Sequence, residues 1–314
     1  MSSGSKLCHH WVMTTATVQV HEAPPEADRA TPAGTREQFA RRAGRGYTVI
    51  RNPLVQVRKD GKWVGSTLGQ LVQARQPRAL RAYLLLLMFW SALDRREEPL
   101  EAGVWARALS PNPPEPQWSA GSMTRVWNTL EEFGLIHRTR QGRLVKLGPR
   151  REDGKADYTR PRPDLSKNSR EKFFILPDAF WLNGWHEQLS FPGVAVLLIL
   201  LADTTGRDEV PIEADRAPAW YGISPKTFRN GVEDLRRQGL LTSRTIWIPE
   251  PFSAIGKKPK TYYSLVGDFS RPARQKLQHQ AVRATTKRIA KKKPAGNPRP
   301  DKGGSSGGDT RTSS

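Results

Sequence analysis

The sequence predicts a mainly α-helical protein with small β-sheets, an α+β fold made of two copies of one unit. Three observations lead to this prediction: an internal repeat, a glycine and a hairpin pattern after the last helix of each copy, and polar ends without periodicity. The chain has 314 residues, which is enough for two modest hydrophobic cores.

The internal repeat aligns Ser119–Ile136 with Ser224–Leu241 at a constant offset of 105 residues. Serine is a good helix N-cap, and the glycines at 134 and 239 suit the left-handed residue that ends a helix. Apolar residues recur at i, i+4 and i+7, which predicts one buried stripe on each helix: Met123, Trp127 and Leu130, then Phe228, Val232 and Leu235.

Upstream of this helix the two copies align at an offset of 112 residues, because the first copy carries the Pro-rich insert Ser110–Pro116. The apolar run Leu84–Met88 then matches Val196–Leu200. Each copy is therefore predicted to contain an apolar helix followed by a short second helix. These helices are Arg78–Leu93 and Glu101–Leu109 in the first copy, and Phe191–Thr204 and Glu213–Trp220 in the second.

Short β segments are predicted on both sides of these helices. The strands ahead of them are Tyr47–Ile50, Leu54–Arg58, Lys62–Val64 and Lys172–Leu176. The hairpins after them pair Leu135–Thr139 with Arg143–Leu147, and Leu240–Ile248 with Thr261–Val266 across a loop over Pro249–Lys260. Three helices followed by a hairpin form the winged helix-turn-helix arrangement, whose third helix suits the DNA major groove.

Composition predicts the domain organisation. Residues 271–314 carry 12 basic and 2 acidic residues with many Pro, Gly and Ser, which is typical of a disordered tail. The predicted segments are a flexible leader (1–45), a first winged-helix domain (46–148), a charged linker (149–170), a second winged-helix domain (171–270) and a disordered basic tail (271–314).

The charge favours a polyanionic partner, with nucleic acid first. The chain has 51 Lys and Arg against 30 Asp and Glu, a net charge of +21. The single cysteine, Cys8, excludes a disulfide framework and any multi-cysteine zinc site. The longest apolar runs are well short of the roughly 18 residues that span a membrane, and the N-terminus lacks a signal-peptide core. A cytoplasmic protein associated with the nucleoid or a plasmid is expected.

The exposed positions of the second copy are the best candidates for DNA contact. Residues 173–225 carry a net charge of −5 and residues 226–260 a net charge of +5, so the basic charge begins with the third helix. Arg and Lys donate to guanine and Asn pairs with adenine, whereas other cations suit phosphates and the minor groove. The candidates are Lys226, Thr227, Arg229, Asn230 and Arg237 on the helix, Arg236 and Arg244 for phosphate, and Lys257, Lys258 and Lys260 at the wing tip.

In the first copy the candidates for DNA contact are weaker on the helix and stronger on the wing. We therefore expect this copy to rely on contacts with the DNA backbone. The helix candidates are polar, with one cation: Ser122, Thr124, Arg125 and Asn128. The wing candidates are all basic: Arg138, Arg140, Arg143 and Lys146. Each of these features has an alternative interpretation. The basic wing tip also fits a solvated loop, the linker also fits a spacer without contacts, and three helices with a hairpin also occur in protein-binding modules. Whether both copies bind DNA therefore stays open.

Four segments of the second copy carry a family resemblance: FFILPDAFW (Phe173–Trp181), LSFPGVAVLLILLAD (Leu189–Asp203), ISPKTFRNGVEDLRRQGLL (Ile223–Leu241) and GKKPKTYYSL (Gly256–Leu265). This pattern resembles the N-terminal winged-helix domain of plasmid replication initiators of the RepA type. The resemblance implies binding of repeated origin DNA and recruitment of host replication proteins. The wing insertion at Pro249–Phe252 and the basic tail depart from the family pattern.

Catalytic motifs are absent from the sequence, so a non-enzyme without cofactor or metal is predicted. There is no G-x-x-x-x-G-K-[ST] phosphate loop, and the six histidines are scattered. The predicted function is sequence-specific binding of double-stranded DNA, most simply as a plasmid or mobile-element replication initiator that recruits host replication proteins. A homodimer on DNA is left open. The alternatives are a winged-helix transcriptional regulator and a protein-interaction adaptor without DNA.

Overall fold

A computed structural model describes residues 30–59, 62–113, 116–161 and 171–292, with the side chains of 59, 63 and 288–292 left aside. The fold is mixed and mainly helical with short β-sheets, which confirms the predicted α+β class. The helices are α1 (Pro32–Ala43), α2 (Thr67–Gln73), α3 (Pro77–Leu93), α4 (Ala102–Leu109), α5 (Ala120–Glu132), α6 (Ala179–Leu182), α7 (Trp185–Gln188), α8 (Phe191–Asp203), α9 (Ala217–Tyr221), α10 (Pro225–Arg237) and α11 (Arg271–Lys292). The strands are β1 (Tyr47–Arg51), β2 (Val57–Lys59), β3 (Lys62–Val64), β4 (Ile136–Gln141), β5 (Leu144–Pro149), β6 (Phe173–Pro177), β7 (Val210–Pro211), β8 (Leu241–Pro249) and β9 (Lys257–Leu265).

The repeated helices form where the sequence predicts them. Ser119 and Ser224 cap α5 and α10, since each side chain accepts a hydrogen bond from the backbone N–H three residues later. Gly134 and Gly239 both have φ of +67°, the left-handed conformation that ends each helix. Both predicted apolar stripes are buried.

Each repeated unit ends in an antiparallel hairpin, β4–β5 in the first copy and β8–β9 in the second. The second hairpin gains a third strand, because Val210 and Pro211 of β7 pair with Tyr263 and Tyr262 of β9. The resulting strand order is β7–β9–β8. The predicted strand at Leu54–Arg58 is wrong in its first half, where Asn52–Leu54 forms a 3₁₀ turn around Pro53 and only β2 is extended.

The first strands of the two copies pair with each other. β1 and β6 form an antiparallel ribbon from Tyr47 opposite Pro177 to Arg51 opposite Phe173. Each strand also packs on the first long helix of its own copy, β1 on α3 and β6 on α8. The sequence predicted both strands but gave no sign of their pairing.

The two copies share one hydrophobic core. At their junction, the Ser66 hydroxyl donates to the carbonyl oxygen of Tyr221 over 2.9 Å. A Cβ atom at Gly69 would lie only 2.5 Å from the same oxygen, so glycine permits α2 to approach the end of α9. The units are therefore packed against each other.

Part of the predicted flexible leader is helix α1, so that prediction is wrong for residues 32–43. Thr31 caps the helix, Pro32 occupies its first turn and Gly44 ends it at φ +68°. The ring of Phe39 stacks on Phe89 with centroids 4.0 Å apart. Only one large apolar side chain of this helix enters the core, so the pattern lacked an amphipathic signal. Residues 1–29, with Cys8, lie outside the described part.

The predicted charged linker is also folded where it is described. Glu152 is fully buried and accepts hydrogen bonds from the backbone N and Nη1 of Arg51, at 2.9 and 3.3 Å. Arg51 further donates to Glu171 at 3.1 Å, and the backbones of Arg150 and Asp157 form an isolated antiparallel β-bridge. Residues 149–161 thus pack beside the ribbon, and residues 162–170 lie outside the described part.

The first half of the predicted disordered tail is helix α11, which corrects the prediction for residues 271–292. Arg274 is buried and donates to the carbonyl oxygens of Leu201 and Thr204, at 3.0 and 3.1 Å. These carbonyls end α8 and lack partners inside that helix, so the guanidinium satisfies them. Residues 293–314 lie outside the described part. Within the described residues, no helix is long and apolar enough to cross a membrane.

Candidate nucleic-acid interface

Helix α10 presents a polar stripe because its opposite side is held tightly against α8. Gly231 lies at this contact, and a Cβ there would be 2.4 Å from the carbonyl oxygen of Pro192. Asp234 fixes the same contact, since its Oδ2 accepts from the backbone N and hydroxyl of Ser190 at 2.8 and 2.7 Å. The stripe left exposed consists of Lys226, Arg229, Asn230, Glu233 and Arg237.

Two cations of this stripe are paired within the protein. Arg229 lies 3.0 Å from Asp215, and both side chains are more than 60% exposed. Arg237 lies 3.0 Å from the buried Asp234. Lys226 has no ion-pair partner in the described part of the chain. Thr227 is half-buried and shares a hydrogen bond with the Ser224 hydroxyl in the helix cap, which occupies its side chain.

The second hairpin has two faces, and only one faces α10. Ser243 accepts a hydrogen bond from Arg236 over 2.6 Å, and the ring of Tyr263 packs edge-on against Phe228. Because side chains alternate along strands, the residues next to these point to the other side of the sheet. The predicted site is therefore divided, with three predicted cations on the far face: Arg244, Lys258 and Lys260.

The cations of the far face have partners of their own. Arg244 forms an ion pair with Glu209 and lies over the ring of Tyr262, 4.9 Å from its centroid. The hydrogen bond from Arg244 lowers the pKa of Glu209 below its usual value. Lys258 lies 2.9 Å from Glu250.

The tip of the second hairpin differs from the prediction, which assigned Pro249–Lys260 to a loop. Lys257 pairs with Pro249, and Lys260 pairs with Ile246, so the lysines are part of β9. The loop is limited to residues 250–256. The exposed side chains at its end are apolar rather than basic: Phe252 is 99% exposed and Ile255 is 70% exposed.

In the first copy, helix α5 exposes Thr124, Arg125 and Asn128 as predicted. Ser122 is a correction, because it is buried and its hydroxyl donates to the Ser119 carbonyl over 2.7 Å. From the sequence alone, a serine such as Ser122 in the first turn of a helix cannot be distinguished from a serine that is exposed to solvent.

The first hairpin carries its predicted cations on both faces. Arg138 lies opposite the buried Leu147, on the side of α5, where it is paired with Glu131. Arg140 shares that face and donates to the Gly142 carbonyl over 3.2 Å. Lys146 points to the opposite face, and Arg143 is exposed at the turn.

Both copies use equivalent positions to tie the third helix to its hairpin. Glu131 binds Arg138 in the first copy, and Arg236 binds Ser243 in the second, at the same offset of 105 residues. The contact between helix and strand occurs in both copies, but the arginine is on the strand in the first copy (Arg138) and on the helix in the second (Arg236). Arg138 in the wing of the first copy is therefore already bound to Glu131.

Sequence reasoning missed the acidic partners Asp215 and Glu209 and the exposed Trp247, Phe252 and Ile255. Within the described residues, no group of three or more His, Cys, Asp or Glu side chains is arranged to hold a metal. Comparison with models of protein families, with curated proteins and with solved structures finds no match.

Proposed function

We propose that this chain binds specific double-stranded DNA through two winged helix-turn-helix units. The observation that carries the proposal is the second copy. Its order runs from α8 through β7, α9 and α10 to the β8–β9 hairpin, with the strands arranged β7–β9–β8. This order leaves the polar stripe of α10 exposed beside a hairpin, as major-groove reading requires.

Arg229 and Asn230 are the proposed base-reading residues. Their neighbouring exposed positions on α10 suit guanine and adenine edges respectively. Lys226 and Arg236 flank them and supply charge for the phosphate backbone. Arg229 must exchange Asp215 for DNA, so its free energy of binding is a difference between two ionic partners.

The pairing of β1 with β6 predicts how the third helices of the two units are oriented relative to each other on DNA. Two equivalent strands that pair antiparallel are related by a local two-fold axis, here near the central pair Val49 and Ile175. Each strand packs on the first helix of its own unit, so we infer that α5 and α10 follow the same approximate axis. Helices related in this way read inverted half-sites. The exposed residues differ between the copies, so the half-sites are unequal.

Selection of bound duplexes from a random DNA pool tests this function. We expect an imperfect inverted site whose half-sites lie about one helical turn apart. The Arg229→Ala variant should lose affinity for the selected site more than for random DNA. Selection of direct repeats would refute the two-fold arrangement, and failure to enrich any sequence would refute specific binding.

The proposed biological role is initiation of replication of a plasmid or mobile element, with recruitment of host replication proteins. It rests on the resemblance of the second copy to RepA-type initiators. The test is to place the gene with its flanking DNA on a vector without an origin. Replication that depends on Asn230 and Arg229 supports the role. Binding upstream of a promoter without replication would favour a transcriptional regulator.

A further inference from the structure

The hairpin of the second copy ends in two apolar side chains that the protein leaves uncovered, Phe252 and Ile255. We propose that this tip is a wedge that enters the DNA minor groove and inserts between base pairs, which unwinds and bends the duplex. This inference rests on the proposed DNA binding and adds to it a contact that deforms the DNA.

The tip loop is ordered by its own polar groups. The N–H of Glu250 donates to the carbonyl of Gly256 over 2.9 Å, and the N–H of Ser253 donates to Glu250 over 3.0 Å. The Ser253 hydroxyl turns inward to the carbonyl of Lys257 over 2.9 Å. Gly256 adopts φ +66°, which closes the loop. These hydrogen bonds order the loop backbone, and the Phe252 and Ile255 side chains point away from it into solvent.

The neck of the hairpin is basic, which favours a polyanion as the partner of this tip. Three lysines of β9 lie next to the loop, and the single acid, Glu250, is already paired with Lys258. Lys257 is exposed beside the loop. An apolar end on a cationic stem matches the minor groove, where phosphates flank the stacked bases.

Trp247 extends the apolar surface from the tip toward α10. It is 60% exposed, pairs with Pro259 and lies on the sheet face that also carries Ser243, the partner of Arg236. A duplex held by α10 therefore has a continuous path along this face to the tip. An indole also offers a flat surface for stacking on an unstacked base.

The reach of the second hairpin supports the same partner. Strand β8 has nine residues where β4 has six, which extends the second hairpin by about 10 Å. The first hairpin closes at Gly142 without exposed Phe or Ile side chains at its turn. Only the second copy therefore carries a wedge, and we expect the bend to lie on its side of the DNA site.

The test uses the full chain with closed circular DNA relaxed by a topoisomerase in its presence, which reports unwinding at any sequence. Wild type should leave a change in linking number that grows with bound protein. The double variant Phe252→Ala, Ile255→Ala should lose that change, while its affinity for random duplexes falls less than about five-fold because the lysines remain. Val282→Ala removes an exposed apolar side chain of α11 and is the matched control.

Unwinding by the double variant at the wild-type level would overturn the wedge, as would wild-type binding without unwinding. Two further measurements complete the test: binding of both proteins to vesicles of phosphatidylserine and phosphatidylcholine, and their self-association by sedimentation. Loss of vesicle binding or of self-association in the double variant would assign the tip to a membrane or to a second copy and overturn the proposal. If wild type binds no duplex at all, the proposed function fails together with the wedge.

Discussion

Nη2 of Arg229 donates a hydrogen bond to Oδ1 of Asp215 over 3.0 Å, on the face of α10 that is proposed to read DNA. The best base-reading candidate is therefore occupied by an acid of the protein itself. In the proposed complex Asp215 competes with DNA for the guanidinium, so binding of Arg229 to a matching guanine includes the loss of this ion pair.

Replacement Asp215→Asn should consequently tighten binding to the selected site by about two- to five-fold, since exposed ion pairs are weak. Random DNA should gain less, because Arg229 can stay paired with Asp215 when it reads no base, so specificity should rise. Titrations of both duplexes at equal salt measure this. Glu213→Gln is the matched control, because Glu213 pairs with Arg216 outside α10. An equal gain in the control would mean that net charge alone acts.

Glu152 should be important for stability although it lies in the segment predicted as a linker. Removal of its side chain leaves the buried guanidinium of Arg51 with Glu171 as its remaining acidic partner. We expect Glu152→Ala to lower the free energy of unfolding by about 3 to 5 kcal/mol. Denaturant titration measures it, with the neighbouring Asp153→Ala as a near-neutral control. A small loss for Glu152→Ala would contradict the buried pair.

Gly231 should not tolerate a side chain. A Cβ at this position would lie 2.4 Å from the Pro192 carbonyl and 2.5 Å from Cγ2 of Val196, so α10 and α8 must separate. Gly231→Ala should cost about 1 to 3 kcal/mol despite the better helix propensity of alanine. Gly206→Ala is the control, because nothing lies within 4 Å of its Cβ. Thermal unfolding that ranks the two variants equally would refute the close contact.

Asp178 should make stability depend on pH. Burial raises the pKa of this carboxyl to about 7, so the folded state prefers it protonated. The unfolded chain ionises near pH 4, so the stabilisation is complete below that value and is lost as pH rises to about 7. The loss amounts to about 4 kcal/mol. Asp178→Asn should reduce this slope when unfolding is measured across the range, and an unchanged slope would exclude Asp178 as a source.

Truncation should separate the two halves of the predicted tail. Deletion of residues 293–314 should lower the affinity for cognate and random DNA by a similar factor and reduce the salt dependence of binding. Deletion from residue 271 should also lower stability, because Arg274 no longer satisfies the carbonyls that end α8. Equal unfolding midpoints for the two deletions would show that this anchor contributes nothing.

The sequence alone determined the features that depend on neighbours along the chain. The caps at Ser119 and Ser224, the left-handed glycines at 134 and 239 and the buried stripe of α10 follow from local spacing. These are the elements that place Arg229 and Asn230 on an exposed face. Local hydrogen bonds and helical periodicity are encoded within about one helix length, so they can be read without the fold.

Only the tertiary structure decided what those elements meet. The pairing of Val49 with Ile175, the burial of Glu152 beside Arg51 and the anchoring of Arg274 at α8 join segments that are far apart in sequence. Strand register likewise decided that Arg244 faces away from α10 while Trp247 faces toward it, because a shift by one residue reverses every side chain of a strand. Long-range contacts leave no periodic trace in the sequence, so the packing of the two copies and the division of the site appear only in the folded chain.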